Sequence, residues 1–130
     1  MPHDTIELTT PVGRDWDPVV RLVLGGIADR LNLGFEELDD LQLAVERLLL
    51  EAGSQDSVTL AFDVSENGVR TRIGPLRAGA LAEALQGPPP PPGELTLRRI
   101  LETVVDSFGV EEVAEDGQLI VRLEKVVRGA

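Results

Sequence analysis

Apolar residues recur at helical spacing in three segments of the chain, and this pattern predicts three long helices that each turn one side toward a core. The first is predicted over residues 17–31, with Asp17 as its N-cap and Pro18 at the first helical position. Asn32 and Gly34 are expected to end it. Its apolar stripe consists of Trp16, Val19, Val20, Val23, Ile27 and Leu31.

The other two long helices are predicted over residues 36–52 and 95–107, and a short helical segment over 77–85. Gly53 is a natural C-terminal stop for the middle one. Its core-facing positions are Leu38, Leu41, Val45, Leu48, Leu49 and Ala52. The last long helix is expected to bury Leu97, Ile100, Leu101, Val104 and Phe108.

Alternation of apolar and polar residues predicts strands over residues 5–10, 58–64 and 69–73, and a closing hairpin is predicted over residues 110–114 and 119–126. Asn67-Gly68 predicts a tight primed turn with positive φ angles, and Glu115-Asp116-Gly117 predicts a second hairpin turn. Helices segregated from an antiparallel-rich sheet define an α+β fold with two layers. We expect one domain over residues 1–130.

A run of five prolines, Pro88 to Pro92, lies between Gly87 and Gly93. Such a run favours an extended polyproline conformation. Two interpretations remain open from the sequence: a stiff surface loop, or a ligand for a proline-recognition domain.

Charge and composition narrow the classes of function. The formal net charge is -11, which repels phosphate backbones and anionic lipid and favours a basic protein partner over nucleic acid or membrane. The chain has no cysteine, and therefore no disulfide, thiolate metal site or thiol nucleophile. The lone His3 near the start is expected to have no functional role. No signal segment or membrane-length apolar run is recognisable, so we expect a cytoplasmic protein.

The segment Asp-Leu-Gln-Leu-Ala-Val-Glu at residues 40–46 resembles the anti-sigma-factor serine kinases of the RsbW type, in the histidine-kinase-like (GHKL) ATPase superfamily. The helix over residues 19–31 and the closing segment 97–126 fit the same resemblance, which therefore spans nearly the whole chain. It implies a GHKL-type sandwich, ATP and Mg²⁺ as cofactors, homodimers, and a sigma factor or anti-anti-sigma protein as partner.

The resemblance breaks at the residues that would bind the metal. Glu46 matches the family glutamate that polarises the attacking hydroxyl. Leu50 stands where the family has an Asn that holds Mg²⁺, and a leucine has no lone pair to offer a metal. We therefore expect Glu46 to be vestigial, a solvated or locally paired carboxylate.

The adenine and phosphate contacts of the family are also missing. Aligned on Gly74-Pro75, Arg72 replaces an Asp that accepts a hydrogen bond from adenine, and Leu76 replaces a second glycine. A guanidinium group only donates hydrogen bonds. Residues 87–93 stand in place of the glycine-rich ATP lid, and prolines have no N–H with which to cradle a phosphate.

These departures lead to an expected function and to two predictions about residues. The expectation is an anti-sigma-like regulator that binds a protein partner without ATP or kinase activity. Leu50 and its neighbours are expected to fill or narrow the ancestral nucleotide pocket, or else simply to pack in the core. Arg21 matches a family arginine that contacts sigma, and the alternative is an ion pair with Asp15 or Asp17.

Two other functions stay open at this stage. One is an active ATP-dependent serine-protein kinase with an unorthodox site. The other is a structural dimerisation domain without a sigma-type partner. The predicted strand over residues 5–10 is a possible edge for a homodimer.

Overall fold

A five-stranded antiparallel sheet with helices on one face forms the part of the chain described by the computed structural model, residues 4–53, 55–77, 79–89, 91–113 and 117–127. The strands lie in the order β1-β2-β3-β5-β4. This confirms the predicted two-layer α+β fold. Its strands are β1 (Asp4–Pro11), β2 (Ser57–Ser65), β3 (Gly68–Arg77), β4 (Ser107–Val113) and β5 (Gln118–Val126), and its helices are α1 (Asp17–Leu31), α2 (Phe35–Ala52), α3 (Gly79–Gln86) and α4 (Leu97–Val104).

The core lies between the sheet and the helices, as the alternation of residues along the strands requires. On β2, Val58, Leu60 and Phe62 are almost completely buried, whereas the intervening Thr59 and Ala61 are only partly covered. The odd-numbered side chains of β2 therefore form an outer face, which none of the helices in the described part of the chain covers. The largest fully buried side chains are Phe62, Leu24, Leu41, Leu48, Leu60, Ile73, Leu76, Leu101, Leu123, Val20, Val45 and Val58.

Helix α1 follows the prediction at its end and departs from it at its start. A 3₁₀ turn, Arg14–Trp16, leads into the helix, so the N-cap is Trp16 and Asp17 is already helical. Asn32 ends the helix in the left-handed conformation, with φ of 57°. The predicted stripe is wrong at Trp16 and Val19, which are exposed because the buried side is centred on Val20, Leu24, Ile27 and Ala28.

Helix α2 confirms the prediction to within one residue. At its start the Gly34 N–H donates to the Glu37 carboxylate at 2.6 Å, and Gly53 with φ of 54° ends it. Its buried residues are Leu41, Ala44, Val45, Leu48, Leu49 and Ala52.

The β2–β3 hairpin is confirmed, but its predicted turn is wrong. Ser65 pairs with Gly68, so the two turn residues are Glu66 and Asn67, and Asn67 has no positive φ. Gly68 has a φ of 156°, and a Cβ there would collide with the carbonyl oxygen of Lys125. The glycine is needed because β5 approaches closely, a reason that the local sequence does not contain.

The predicted third long helix is shorter than expected at both ends. Thr96 caps α4 by accepting a hydrogen bond from the Arg99 N–H at 3.2 Å, and Val105 is already extended. Ser107 belongs to β4 and pairs with Glu124. The predicted short helix over 77–85 begins later, since Arg77 still belongs to β3 and α3 starts at Gly79. Among the predicted features, His3, Pro90, Ala114, Glu115 and Asp116 lie outside the described residues.

Candidate functional site

Glu46 and Leu50 lie one turn apart on the outer side of α2. The Glu46 side chain is 26% exposed and Leu50 is 57% exposed. Leu43, one turn before Glu46, is 43% exposed. Leu48 and Leu49 pack in the core. Leu50 was expected either to fill the ancestral nucleotide pocket or to pack in the core, but its exposed side chain does not fill an enclosed cavity.

Arg21 of α1 binds Glu46 across the gap between the two helices. Its Nη2 donates to Glu46 Oε1 at 2.6 Å, which corrects the expected alternative of a pair with Asp15 or Asp17. The hydrogen bond and then the charge of Glu46 raise the pKa of Arg21, and the charge of Asp17 adds a minor contribution. The two side chains that sequence analysis treated separately, as a vestigial acid and as a partner contact, are thus one ion pair.

Arg72 points away from the helices, on the outer face of the sheet. Its Nη1 donates to Asp63 at 3.1 Å, and its Nε lies 3.6 Å from Glu111. Leu76 is fully buried, and Gly74 is buried where a Cβ would meet the Leu119 carbonyl oxygen at 2.9 Å. The structure therefore does not bring Arg72 together with Glu46 and Leu50.

A network of charges surrounds Arg72 that the sequence analysis missed. Arg122 lies directly across from Arg72 in the strand pairing, and Glu111 is within 3.6 Å of both guanidinium groups. Arg122 also pairs with Glu124 at 3.2 Å. The alternation along β3 and β5 did indicate that their charged residues share one face of the sheet, because residues two apart on a strand point to the same side. Their partners across the sheet depend on the strand order, which the sequence did not specify.

The segment 87–93, which the resemblance aligns with an ATP lid, has few backbone donors. The Gly87 N–H is bound to the Glu83 carbonyl at 2.8 Å, and the Glu94 N–H to the Pro91 carbonyl at 3.2 Å. Arg98 donates to the Gly87 carbonyl oxygen, which fixes the start of the segment against α4. In the described part of the segment the prolines are exposed, consistent with a surface loop.

Lys125 is a buried cation that sequence analysis did not single out. Only 8% of the residue is exposed, and its Nζ donates to the Val104 carbonyl oxygen at 2.8 Å. A second, longer contact of 3.4 Å reaches Asp40 on α2. Lys125 thus ties the end of α4 and the first half of α2 to the sheet.

Two open clefts lie at the end of the sheet that carries the β2–β3 turn. Their volumes are about 420 and 520 Å³, and neither is lined by Arg21, Glu46, Leu50 or Arg72. The described residues contain no group of three or more His, Asp or Glu side chains able to hold a metal ion. Within the same residues, no helix is both long enough and apolar enough to cross a membrane.

Comparison with known proteins identifies relatives over part of the chain. No model of a protein family matches it. It is 32% identical over 66 residues to the serine-protein kinase RsbW of Oceanobacillus iheyensis, a match that covers 51% of this chain and 39% of the relative. Over 72 residues it is 32% identical to RsbW of Bacillus subtilis, covering 55% of this chain and 42% of that protein.

A third relative is the serine-protein kinase RsbW of Listeria innocua, 28% identical over 78 residues, which are 55% of this chain and 50% of the relative. The chain thus spans half or less of the length of each of these relatives. The resemblance to RsbW-type proteins is confirmed over about half of the chain, and its extension to nearly the whole chain stays a prediction. The α+β sandwich is compatible with the GHKL-like fold of those proteins.

Proposed function

We propose that this chain is a regulatory protein of the RsbW type that acts by binding a protein partner and not by transferring phosphate from ATP. The observation that carries the proposal is the ion pair between Arg21 and Glu46, 2.6 Å long and one turn from Leu50. In a kinase the Glu46 carboxylate would have to polarise the substrate hydroxyl. Here that carboxylate accepts a hydrogen bond from Arg21 of α1 through its Oε1 atom.

The residues that the resemblance aligns with a Mg²⁺-ATP site do not supply the groups that such a site needs. Leu50 offers hydrocarbon where an oxygen ligand is required. Strand β3 contains no Asp or Glu that could accept a hydrogen bond from adenine, and Arg72 itself lies on the outer face of the sheet, where Asp63 and Glu111 hold it. The loop over 87–93 consists mostly of prolines, which have no N–H, and its Gly87 N–H is already bonded to the Glu83 carbonyl oxygen. The three departures lie on three different elements, so no single local rearrangement restores the site.

The partner that we propose is a sigma factor or an anti-anti-sigma-like regulator, encountered in the cytoplasm. The resemblance suggests this class, and the net charge of -11 favours a partner with a basic surface. The Arg21 side chain remains 56% exposed beside Glu46, so it stays available for a contact. Partner capture from the native host, compared between wild type and Arg21→Glu, tests this; equal capture by both would remove Arg21 from the interface.

The second candidate function is an active serine-protein kinase. The names of the relatives favour it, since each is a serine-protein kinase RsbW. It would require Glu46 to leave Arg21 and the metal to be held without an amide at position 50. Titration calorimetry with ATP and Mg²⁺ separates the two functions. We expect no binding heat from the wild-type protein, and micromolar binding would establish a nucleotide site and overturn the proposal.

A homodimer through β1 stays a prediction. In the described residues β1 pairs with β2 on one side and forms one edge of the sheet, which leaves a row of backbone groups on its other side. Light scattering at micromolar concentration measures the mass directly, and a monomer there would count against the dimer.

A further inference from the structure

Exposed leucines form a row on the outer side of α2. Leu43 and Leu50 are seven residues apart, two turns or about 10 Å along the helix axis, and therefore share one face. They are 43% and 57% exposed. On α1, Leu22 follows Arg21 and is 76% exposed. We call Leu43 and Leu50 the leucine face.

Beside these leucines, an ion pair joins the two helices and a glycine leaves the surface without a projecting side chain. The Arg21–Glu46 ion pair joins α1 to α2 between Leu43 and Leu50. Gly25 lies one turn after Arg21, and a Cβ there would meet nothing within 4 Å. A glycine in a helix costs up to about 1 kcal/mol relative to alanine. No contact within the described chain requires it at this position, and its absent side chain keeps the surface open to another molecule.

The charge around the leucine face is predominantly acidic, with Arg47 and the paired Arg21 as the basic residues nearest to it. Glu36, Asp39 and Glu51 are exposed on α2, and within the described residues none of them pairs with a basic side chain. A second copy of this chain would bring the same acids to the contact and be repelled. A partner helix with basic residues would be attracted, and two leucines two turns apart match the spacing of apolar anchors on such a helix.

We infer that the leucine face binds an amphipathic helix of a partner protein, one with an apolar stripe flanked by lysines or arginines. This inference rests on the proposed protein-binding function and names the chemistry of the partner. The leucines supply the apolar contact, and the acids set the orientation and speed the encounter.

The test uses the whole chain and a fluorescent synthetic peptide of about 15 residues, long enough to form a helix when bound. It carries leucines at helical spacing and lysines on both flanks. Two control peptides have the same composition in scrambled order, or the same leucines with glutamates in place of lysines. Affinity is measured by fluorescence anisotropy, at low and at physiological salt.

We expect the lysine peptide alone to bind, and Leu43→Ser and Leu50→Ser each to weaken it about tenfold or more. Leu95→Ser is the matched control, since Leu95 is 79% exposed and lies outside the leucine face. Because all three leucines are exposed, the variants should retain the wild-type circular dichroism. Equal binding of the scrambled peptide, or an equal loss in Leu95→Ser, would overturn the inference. So would a dimer in light scattering that Leu43→Ser dissociates, because the occupant would then be a second copy.

Failure of the docking inference can be distinguished from failure of the proposed function. ATP binding in the calorimetric titration would refute the loss of nucleotide binding whatever the peptide does. Absence of peptide binding in a protein that also ignores ATP would refute the docking face alone.

Discussion

Replacing Lys125 by methionine tests the contact that holds α2 and α4 on the sheet. Methionine keeps most of the apolar stem and removes the ammonium group. The Val104 carbonyl is at the end of α4, where a helix leaves carbonyl groups without partners, and Lys125 supplies the donor at 2.8 Å. A cation near a helix C-terminus is favourable in addition.

The expected cost follows from the burial of that contact. A hydrogen bond from a charged group contributes about 1.5 to 3 kcal/mol to the free energy of unfolding. The substitution also removes the cost of burying the ammonium group away from water, which offsets part of this loss. We expect Lys125→Met to lower the free energy of unfolding by about 1 to 2 kcal/mol. For a domain of this size, that corresponds to roughly 3 to 10 °C in Tm.

Urea unfolding followed by circular dichroism measures the difference. The matched control is Asp40→Asn, which removes the negative charge at the longer 3.4 Å contact, from a side chain that is 42% exposed. We expect it to cost less than about 1 kcal/mol. A Lys125→Met protein as stable as wild type, or more stable, would refute the assignment of Lys125 as the residue that satisfies the Val104 carbonyl.

Three further predictions concern packing and backbone, each measured by the same unfolding experiment. Leu48→Ala should cost about 2 to 5 kcal/mol because Leu48 is fully buried, whereas Leu50→Ala, two residues further on, should cost less than about 0.5 kcal/mol. Gly25→Ala should stabilise by about 0.5 to 1 kcal/mol, since its Cβ enters open space; a loss would contradict the open surface. Gly68→Ala should destabilise by about 2 kcal/mol or more because of the clash with Lys125, and a neutral effect would contradict that close approach.

The elements that sequence predicted best are those whose signals are local. The α2 helix has a long apolar period and a glycine stop, and its bounds were predicted to within one residue. The turn at residues 66–67 was misplaced because Gly68 is required by β5, which is distant in sequence. The end of α4 was misplaced for a similar reason, since Ser107 pairs with Glu124.

The candidate site shows the same division between local and distant information. That Leu50 cannot ligate a metal is a property of one residue, and sequence is sufficient to state it. That Arg21 holds Glu46 depends on how α1 packs against α2, and the sequence favoured the nearer acids, Asp15 and Asp17. The direction of Arg72 follows from strand alternation, since its neighbours Thr71 and Ile73 face the core, but its partner Arg122 on β5 depends on the strand order and register, which the sequence did not specify.

Leu50 connects the proposed loss of nucleotide chemistry with the proposed gain of a binding surface. Any residue without an oxygen or nitrogen would remove the metal ligand, but a leucine also adds an apolar contact. An effect at Leu50 is therefore ambiguous by itself, because a polar replacement changes both properties at once. Leu43 lies on the opposite side of Glu46, shares the same exposed face, and corresponds to none of the family's nucleotide contacts considered above. A requirement for Leu43 in partner binding consequently reports on the surface alone, and it separates docking from any residual nucleotide effect.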